Sequence, residues 1–542
     1  MSSALSSPFM SEHIAEVVPD VAKVAGKLSQ SSVITGRRRV RLVPQSGQNY
    51  GSANSASVIN ILIQDGQAYA DLLSAVVSFN LTTGGTATAS SGVGSYPTAT
   101  NAVVNDDGAW SVFRRSLISV NSTLMDDTDF LAKKVNAEIY ATASQNWYNS
   151  VGSWCGLWKY NTNTMYPITP GVEVSASKYN VSARIPVQSA KVQSVVAGNS
   201  TGSTYLAGQN KYAVPLSLLT SFFRNDTLFP SRNAGQLYVQ LNLASALEAL
   251  YTSTGSAQNP QFTISNLTLE LDFVDLHPTY LSMMDDLIES ASGSGVQWKF
   301  DAHMTATQSL GSSIAGGIAG IGLPGSNDAG GGGGQQSIIV SKASQNMRSL
   351  QVVVQPVAKL SSGNWFPQST FANPGFVDIQ YRIGSLYFPA FTAVGEQRAY
   401  FDLQNAFGSP ESVDKSGLVD NTNYYLTSWT TGLVSSNNNG KPMSGTVANP
   451  QLQITTNTAG LPYLTDQSPK WADMWMYAYC FDRLKHATLN GIDLDGINTL
   501  TSAGSQMVVQ INCNPVELSQ MTAFVRFSRI LVLKNGATQV VG

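Results

Sequence analysis

Charge is scarce in this sequence. Of its 542 residues only 12% are Asp, Glu, Lys or Arg, about half of the roughly 25% found in ordinary soluble proteins. A charge withdrawn from water is costly unless it is paired, so a charge-poor chain suits a molecule whose surface is largely covered by neighbours. The 31 basic and 34 acidic residues leave a net charge of −3, which argues against wrapping nucleic acid and against sequence-specific nucleic-acid binding. Cysteine is nearly absent. Cys155, Cys480 and Cys513 are odd in number, far apart and free of C-x-x-C spacing, which disfavours a disulfide framework or a zinc site.

Histidine is as rare. His13, His277, His303 and His486 each lie away from the partners that a metal site requires, and lone histidines of this kind read as structural or surface residues. Long apolar runs are missing too. No stretch approaches the roughly 20 residues that span a bilayer. The first 35 residues carry no secretory pattern, because Glu12, Glu16, Asp20 and Lys23 interrupt the apolar positions. Synthesis without a secretory signal is the expectation.

Catalytic patterns are equally scarce. Gly198-Asn199-Ser200-Thr201-Gly202 matches G-x-S-x-G, but a nucleophile elbow needs a strand before it and a helix after it, and the following Ser203-Thr204-Tyr205 starts a helix poorly. Asp493-Leu494-Asp495-Gly496 lacks the remaining calcium ligands and reads as a turn. Adjacent acids such as Asp106-Asp107, Asp126-Asp127 and Asp285-Asp286 point apart in a strand or loop. The expectation is a protein that is not an enzyme, with no catalytic residue, no cofactor and no metal.

What fills the chain is Ser, Thr, Asn, Gln and Gly between short apolar runs, and 43% of residues are hydrophobic. That length predicts two large domains or three smaller ones, and the composition is that of a strand-and-turn protein. Leu267, Leu269, Leu271 and Phe273 alternate with Thr268, Glu270 and Asp272, the period of a half-buried antiparallel strand. Val58–Ile63, Ala75–Leu81, Phe113–Val120, Val181–Val187 and Gly235–Leu243 read as further strands, and 126–135 as a short helix. A stop at His277-Pro278, a helix over 279–290 and a Ser-Gly connector then separate the halves. The second half repeats the plan from Val296 through a closing strand at 523–533, with a helix over 396–407 and a glycine-rich loop over 311–336. Residues 82–109 read as a long loop in the first half.

The expected organisation is an N-terminal arm (1–36), a first sandwich (37–277), a helix and linker (278–295) and a second sandwich (296–542). In the arm Ile14, Val17, Val18, Val21, Val24 and Leu28 fall near helical spacing, divided by Pro19. The arm is either a frayed terminus or an apolar tether for a neighbouring subunit or a membrane surface. The cluster Arg37-Arg38-Arg39-Val40-Arg41 reads either as a phosphate-binding or localisation patch or as a first strand with solvated arginines.

Several segments carry a resemblance. Tyr381-Arg382-Ile383-Gly384-Ser385-Leu386-Tyr387-Phe388-Pro389, then Glu396-Gln397-Arg398-Ala399-Tyr400-Phe401 and Phe407-Gly408, resemble the second jelly roll of double jelly-roll major capsid proteins, closest in flavour to those of virophages and polinton-like viruses. Ser344–Leu350, Gly496–Leu500 and Ser528–Gly536 are similar to other stretches of that family. The resemblance covers about 337–540 and rests, over the first half, on the order of elements alone.

It implies an all-β fold of two tandem eight-stranded jelly-roll sandwiches with a short helical arm. It also implies a homotrimer with a hexagonal outline that forms the capsomers of an icosahedral capsid and is located in the virion. Neighbouring capsomers, penton and minor capsid proteins would be its partners, with the arm over an internal membrane. In that frame Gly384 permits the turn between Ile383 and Leu386, Pro389 ends a strand, and Arg348, Arg382 and Arg398 are candidates for pairing between strands or subunits. The competing reading is a β-rich viral spike, fibre or lectin-like receptor-binding protein.

Overall fold

The structure is a computed structural model. The structure describes residues 33–47, 49–51, 57–84, 103–104, 108–152, 154–157, 208–225, 227–252, 261–289, 296–310, 334–340, 346–357, 368–369, 371–374, 376–407, 452–456, 462–466, 474–481, 507–513, 519–534 and 537–541, with positions 360, 418–419, 424 and 497.

Eight principal strands form the first half: β1 (Ile34–Leu42), β2 (Val58–Ile63), β3 (Tyr69–Gly84), β4 (Phe113–Val120), β5 (Thr123–Asp129), β6 (Gly208–Pro215), β7 (Leu237–Leu243) and β8 (Gln261–Leu276). They build two antiparallel sheets in the orders β1-β8-β3-β6 and β2-β7-β4-β5. Helix α1 (Leu131–Thr142) lies between β5 and β6, and α2 (Pro278–Glu289) follows β8.

The second half supplies β9 (Val296–Leu310), β10 (Gly334–Val340), β11 (Met347–Pro356), β12 (Phe376–Ile383) and β13 (Leu386–Val394), then α3 (Glu396–Phe407), β14 (Met476–Cys480), β15 (Met507–Cys513), β16 (Ser519–Lys534) and a short β17 (Ala537–Val541). Its sheets run β9-β16-β11-β14 and β10-β15-β12-β13. Numbered from the first strand of each half, the two pairs of sheets have the same order: 1-8-3-6 against 2-7-4-5. That wiring is the jelly roll, two Greek keys folded into a sandwich. The chain is a double jelly roll, and each half carries its helix at the same place, after the fifth strand.

Alternation explains the sheets, and one break in it is instructive. In β8, Phe262 and Ile264 are buried and then Leu267, Leu269 and Leu271, so the inward positions change parity. Pairing with β3 shifts between Ser265 and Thr268, and Asn266 has φ 53. A bulge inserts one residue and restores the apolar face to the interior. The closing strands β8 and β16 are each 16 residues long, and each is the strand that both neighbours in its sheet pair with.

The structure corrects several local expectations. Residues 123–129 are strand, paired with β4, and the helix begins only at Leu131. Strand β3 runs to Gly84, into the segment read as loop, and Gly334–Gln336 pair with Ile511–Cys513 as part of β10. Pro389 does not end its strand. It lies inside β13, after a cis Phe388–Pro389 bond. Strand β13 is an edge of its sheet, where a residue lacking an N–H interrupts no ladder on its outer side. The arm residues Ile14, Val17, Val18, Val21, Val24 and Leu28, the expected strand at 181–187, the 198–202 motif, Asp493–Asp495, His13 and His486 lie outside the described residues.

Candidate functional site: the seam between the barrels

The most unusual chemistry in the molecule sits where the two sandwiches meet. It begins with α1. All of its residues from Leu131 to Ala141 are buried, including Lys133, Lys134, Asn136 and Glu138. A helix with polar residues on every side is ordinarily solvated on one face. Here β9 of the second barrel packs across β5 beside it, and α3 packs against it.

Several charges in the seam are paired across or along it. Lys134 pairs with Glu138 at 3.1 Å, one turn apart. Glu138 also binds Arg224 and lies 3.3 Å from Nε2 of His303 on β9. The backbone N–H of His303 donates to Oδ1 of Asp126 on β5 at 2.8 Å. Thr305 Oγ1 donates to the Asp129 carbonyl at 2.9 Å, and Arg529 of β16 donates to the Met125 carbonyl at 2.9 Å. The outer edge of β5 therefore gives its backbone carbonyls to side chains of the second barrel.

Burial reshapes the titrations. It pushes the Asp126 carboxyl up to about 6, against the pull of the His303 N–H and Lys134. Burial lowers Lys134 to about 8, opposed by Glu138. It also lowers the His303 imidazole to about 4, helped by the Lys134 charge, so His303 is neutral at pH 7. Burial alone would raise the Glu138 carboxyl, but Arg224, Lys134 and His303 together hold it well below the usual range.

A second knot lies on the same strand. Asp301 of β9 accepts from Arg526 Nε at 2.8 Å and Ser528 Oγ at 2.6 Å, with Arg348 at 3.7 Å. Burial opposes ionisation there, yet Arg526 and Arg348 outweigh it and hold the carboxyl at about 2.

Apolar packing closes the rest of the seam. Phe222 and Phe229 of the first barrel meet Trp298 and Phe300 of β9, with ring centroids 4.7 Å apart for Phe222–Trp298 and 5.1 Å for Phe222–Phe300. Such tilted and edge-on pairs are favoured over flat stacking. Asn136 Nδ2 adds a bond to the Gln368 carbonyl at 2.9 Å. The arrangement is a lock between two domains: Asp126, Lys134, Glu138 and His303 are all under a tenth exposed.

The residues singled out from the sequence lie elsewhere. Gly384, with φ 59, opens the two-residue turn between Ile383 and Leu386. Arg348 stands on β11 within the Asp301 knot, an inter-strand position. Arg398 pairs with Asp402 on α3 at 3.2 Å. Arg382 is exposed on β12 and pairs with no described acid. The seam charges were not foreseen. The only local sign was the Lys134/Glu138 spacing of four on a helix. Among the described residues no group of three His, Cys, Asp or Glu side chains is placed to hold a metal ion, and no helix is long and apolar enough to cross a membrane.

The fold class is thus two fused jelly rolls locked by a buried polar and aromatic seam. Comparison with solved structures finds the same fold over nearly the whole chain. VP54 of PBCV-1, fitted into a reconstruction of the virophage Sputnik, matches with a TM-score of 0.50 at 10% identity, covering 95% of this chain and 98% of that one. A chain of the Sputnik virophage structure matches with a TM-score of 0.51 at 10% identity, covering 94% and 89%. No protein-family profile matches the sequence, and no curated protein sequence does.

Proposed function

We propose that this chain is a viral major capsid protein, the structural subunit of an icosahedral shell. The observation that carries the reading is the tandem of two sandwiches with one wiring, sharing its fold end to end with chains placed in virus-particle reconstructions. Two like barrels in one chain give three chains six similar blocks, the outline a hexagonal lattice needs. In this reading the role is mechanical rather than catalytic.

In this reading the protein is a homotrimer located in the virion. Its partners are neighbouring capsomers, penton and minor capsid proteins, and the N-terminal arm faces the interior, over a membrane where the virus has one. The test is to purify the protein, measure its mass in solution by light scattering and image the particles. About three chain masses and a hexagonal outline with six lobes support the reading. A single chain at micromolar concentration, or a particle without lobes, overturns it.

A further inference from the structure

Four buried atoms in the seam lack a well-aimed hydrogen bond among the described residues. They are Oδ2 of Asp126, Nζ of Lys134, Nδ1 of His303 and Nε of Arg529. A buried polar group without a partner is costly, and native proteins seldom carry several in one place. Asp126 and Lys134 belong to the first barrel, on β5 and α1. His303 and Arg529 belong to the second, on β9 and β16.

Bonds already made by these residues bring the four atoms together. The His303 backbone N–H donates to the other oxygen of the Asp126 carboxyl at 2.8 Å, so the two side chains start from one point. Arg529 Nη1 lies 2.9 Å from the carbonyl of Met125, the residue before Asp126. Lys134 Nζ and His303 Nε2 meet on the same oxygen of Glu138, at 3.1 and 3.3 Å. Lys134 is thus paired with Glu138, and Arg529 is bound to backbone carbonyls. Both cations act on Asp126 through space without pairing with it.

We propose that this spot is a binding site for one ordered water molecule, shared by the two barrels and held by Asp126, Lys134, His303 and Arg529. It is solvent retained at a point from which the rest has been excluded. The inference concerns the joint within one chain and does not depend on the shell-subunit reading.

Chemistry selects the ligand. Nε2 of His303 faces the Glu138 carboxylate and carries the ring proton, and burial keeps the ring neutral at pH 7. Nδ1 is therefore a bare acceptor. Oδ2 of Asp126 is a second acceptor at pH 7, above the value of about 6 at which the carboxyl ionises. Lys134 has three N–H groups, of which Glu138 takes at most one, and Nε of Arg529 has one. Each barrel thus offers one donor and one acceptor. Water accepts twice and donates twice, so it answers the whole set. A halide only accepts and would leave Asp126 and His303 unanswered. Ammonium or a metal ion cannot accept and would meet two cations.

The experiment is a density map of the full chain at a resolution that shows ordered water, with the histidine ring nitrogens read by NMR at pH 7. Four histidines keep that spectrum simple, and His303→Gln assigns its signal by removal. Expected are one peak within hydrogen-bonding distance of all four atoms and an Nδ1 signal displaced from that of a free acceptor. Asp126→Leu takes away one acceptor and is expected to remove the peak and the displacement together. Should that variant not fold, Lys134→Met takes its place with the same expectation. A map without the peak overturns the site, as does one in which Lys134 or Arg529 reaches the Asp126 carboxyl directly. A free-acceptor signal from His303, or a peak that keeps its full height in the folded variant, overturns it too.

Discussion

Helices α1 and α3 are the same helix twice, each 12 residues long and each following the fifth strand of its jelly roll. Yet α1 is buried on all sides, while α3 leaves Gln397, Arg398 and Phe401 exposed. The difference is not in helical propensity but in what stands beside them. Around α1 the second barrel has removed water, and the polar residues there have become a network in which each charge depends on the next. Around α3 water remains on one side: Arg398 is 58% exposed, while its partner Asp402 is buried and also accepts from the Tyr477 hydroxyl at 3.0 Å. A repeated fold can thus hold one polar helix as a lock and the other as a surface.

The sharpest way to break that comparison is to remove one charge from each helix. Glu138→Ala strands Lys134 and Arg224 beside a neutral His303, and losing one member of a buried network typically costs about 3–5 kcal/mol. Arg398→Ala removes a screened partner and is expected to cost less than about 1 kcal/mol. Denaturant unfolding of both variants measures the pair, and equal losses would show that the seam is no lock. The aromatic half of the seam offers a similar contrast. Trp298→Ala should cost about 3–5 kcal/mol, whereas Phe391→Ala, 89% exposed, should leave single-chain stability within about 0.5 kcal/mol.

Acidity sharpens the comparison next, because its sign is set by burial. Asp126 has its carboxyl raised from 3.8 to about 6, so between those values the folded state holds a proton that the unfolded state has lost. Its contribution to stability therefore falls as pH rises through that window and is fully lost above about 6. Asp126→Asn removes the penalty and can still accept the His303 N–H. Relative to the unaltered protein it should gain up to about 3 kcal/mol at pH 8 and little at pH 4. His303, lowered to about 4, works in the opposite sense, since the unfolded state takes up its proton first as pH falls from 6.5. The two nearly cancel in the unaltered chain. The expected result is a profile whose slope between about pH 4 and 6 becomes more positive on Asp126→Asn, and an unchanged slope removes Asp126 from the account.

How much of this could be read in advance divides along the same line. The alternation of Leu267, Leu269, Leu271 and Phe273, the helix from Pro278 and the helix from Glu396 were visible, because they are set by neighbours along the chain. Strand β5 was not, since its acids and threonines look like a loop or helix start until the second barrel is placed on them. The same holds for His303. On a strand with alternating Trp298, Phe300 and Ala302 it belongs to the outer face, which reads as solvent, and only the partner barrel turns that face into an interior. Pro389 failed for a related reason: whether a proline ends a strand depends on whether the strand is an edge.

A further small effect belongs to the two turns that join the fourth and fifth strands, and it follows from backbone geometry alone. In the first barrel the turn is Asn121-Ser122, with φ 46 and 67; in the second it is Gly384-Ser385, with only Gly384 left-handed at φ 59. The first has the signature of a type I′ hairpin, the second that of II′. Asn tolerates the left-handed region, and Asn121 is further held by bonds to the Ala234 carbonyl at 2.7 Å and the Gln236 N–H at 3.0 Å. Serine has neither advantage, so Ser122→Gly should raise stability by roughly 0.5–1 kcal/mol, and Gly384→Ala should lower it by about 1 kcal/mol. Thermal unfolding of the two variants decides it. If Ser122→Gly destabilises instead, the backbone freedom that glycine adds to the unfolded chain outweighs the strain it relieves, and the two turns differ in sequence without differing in cost.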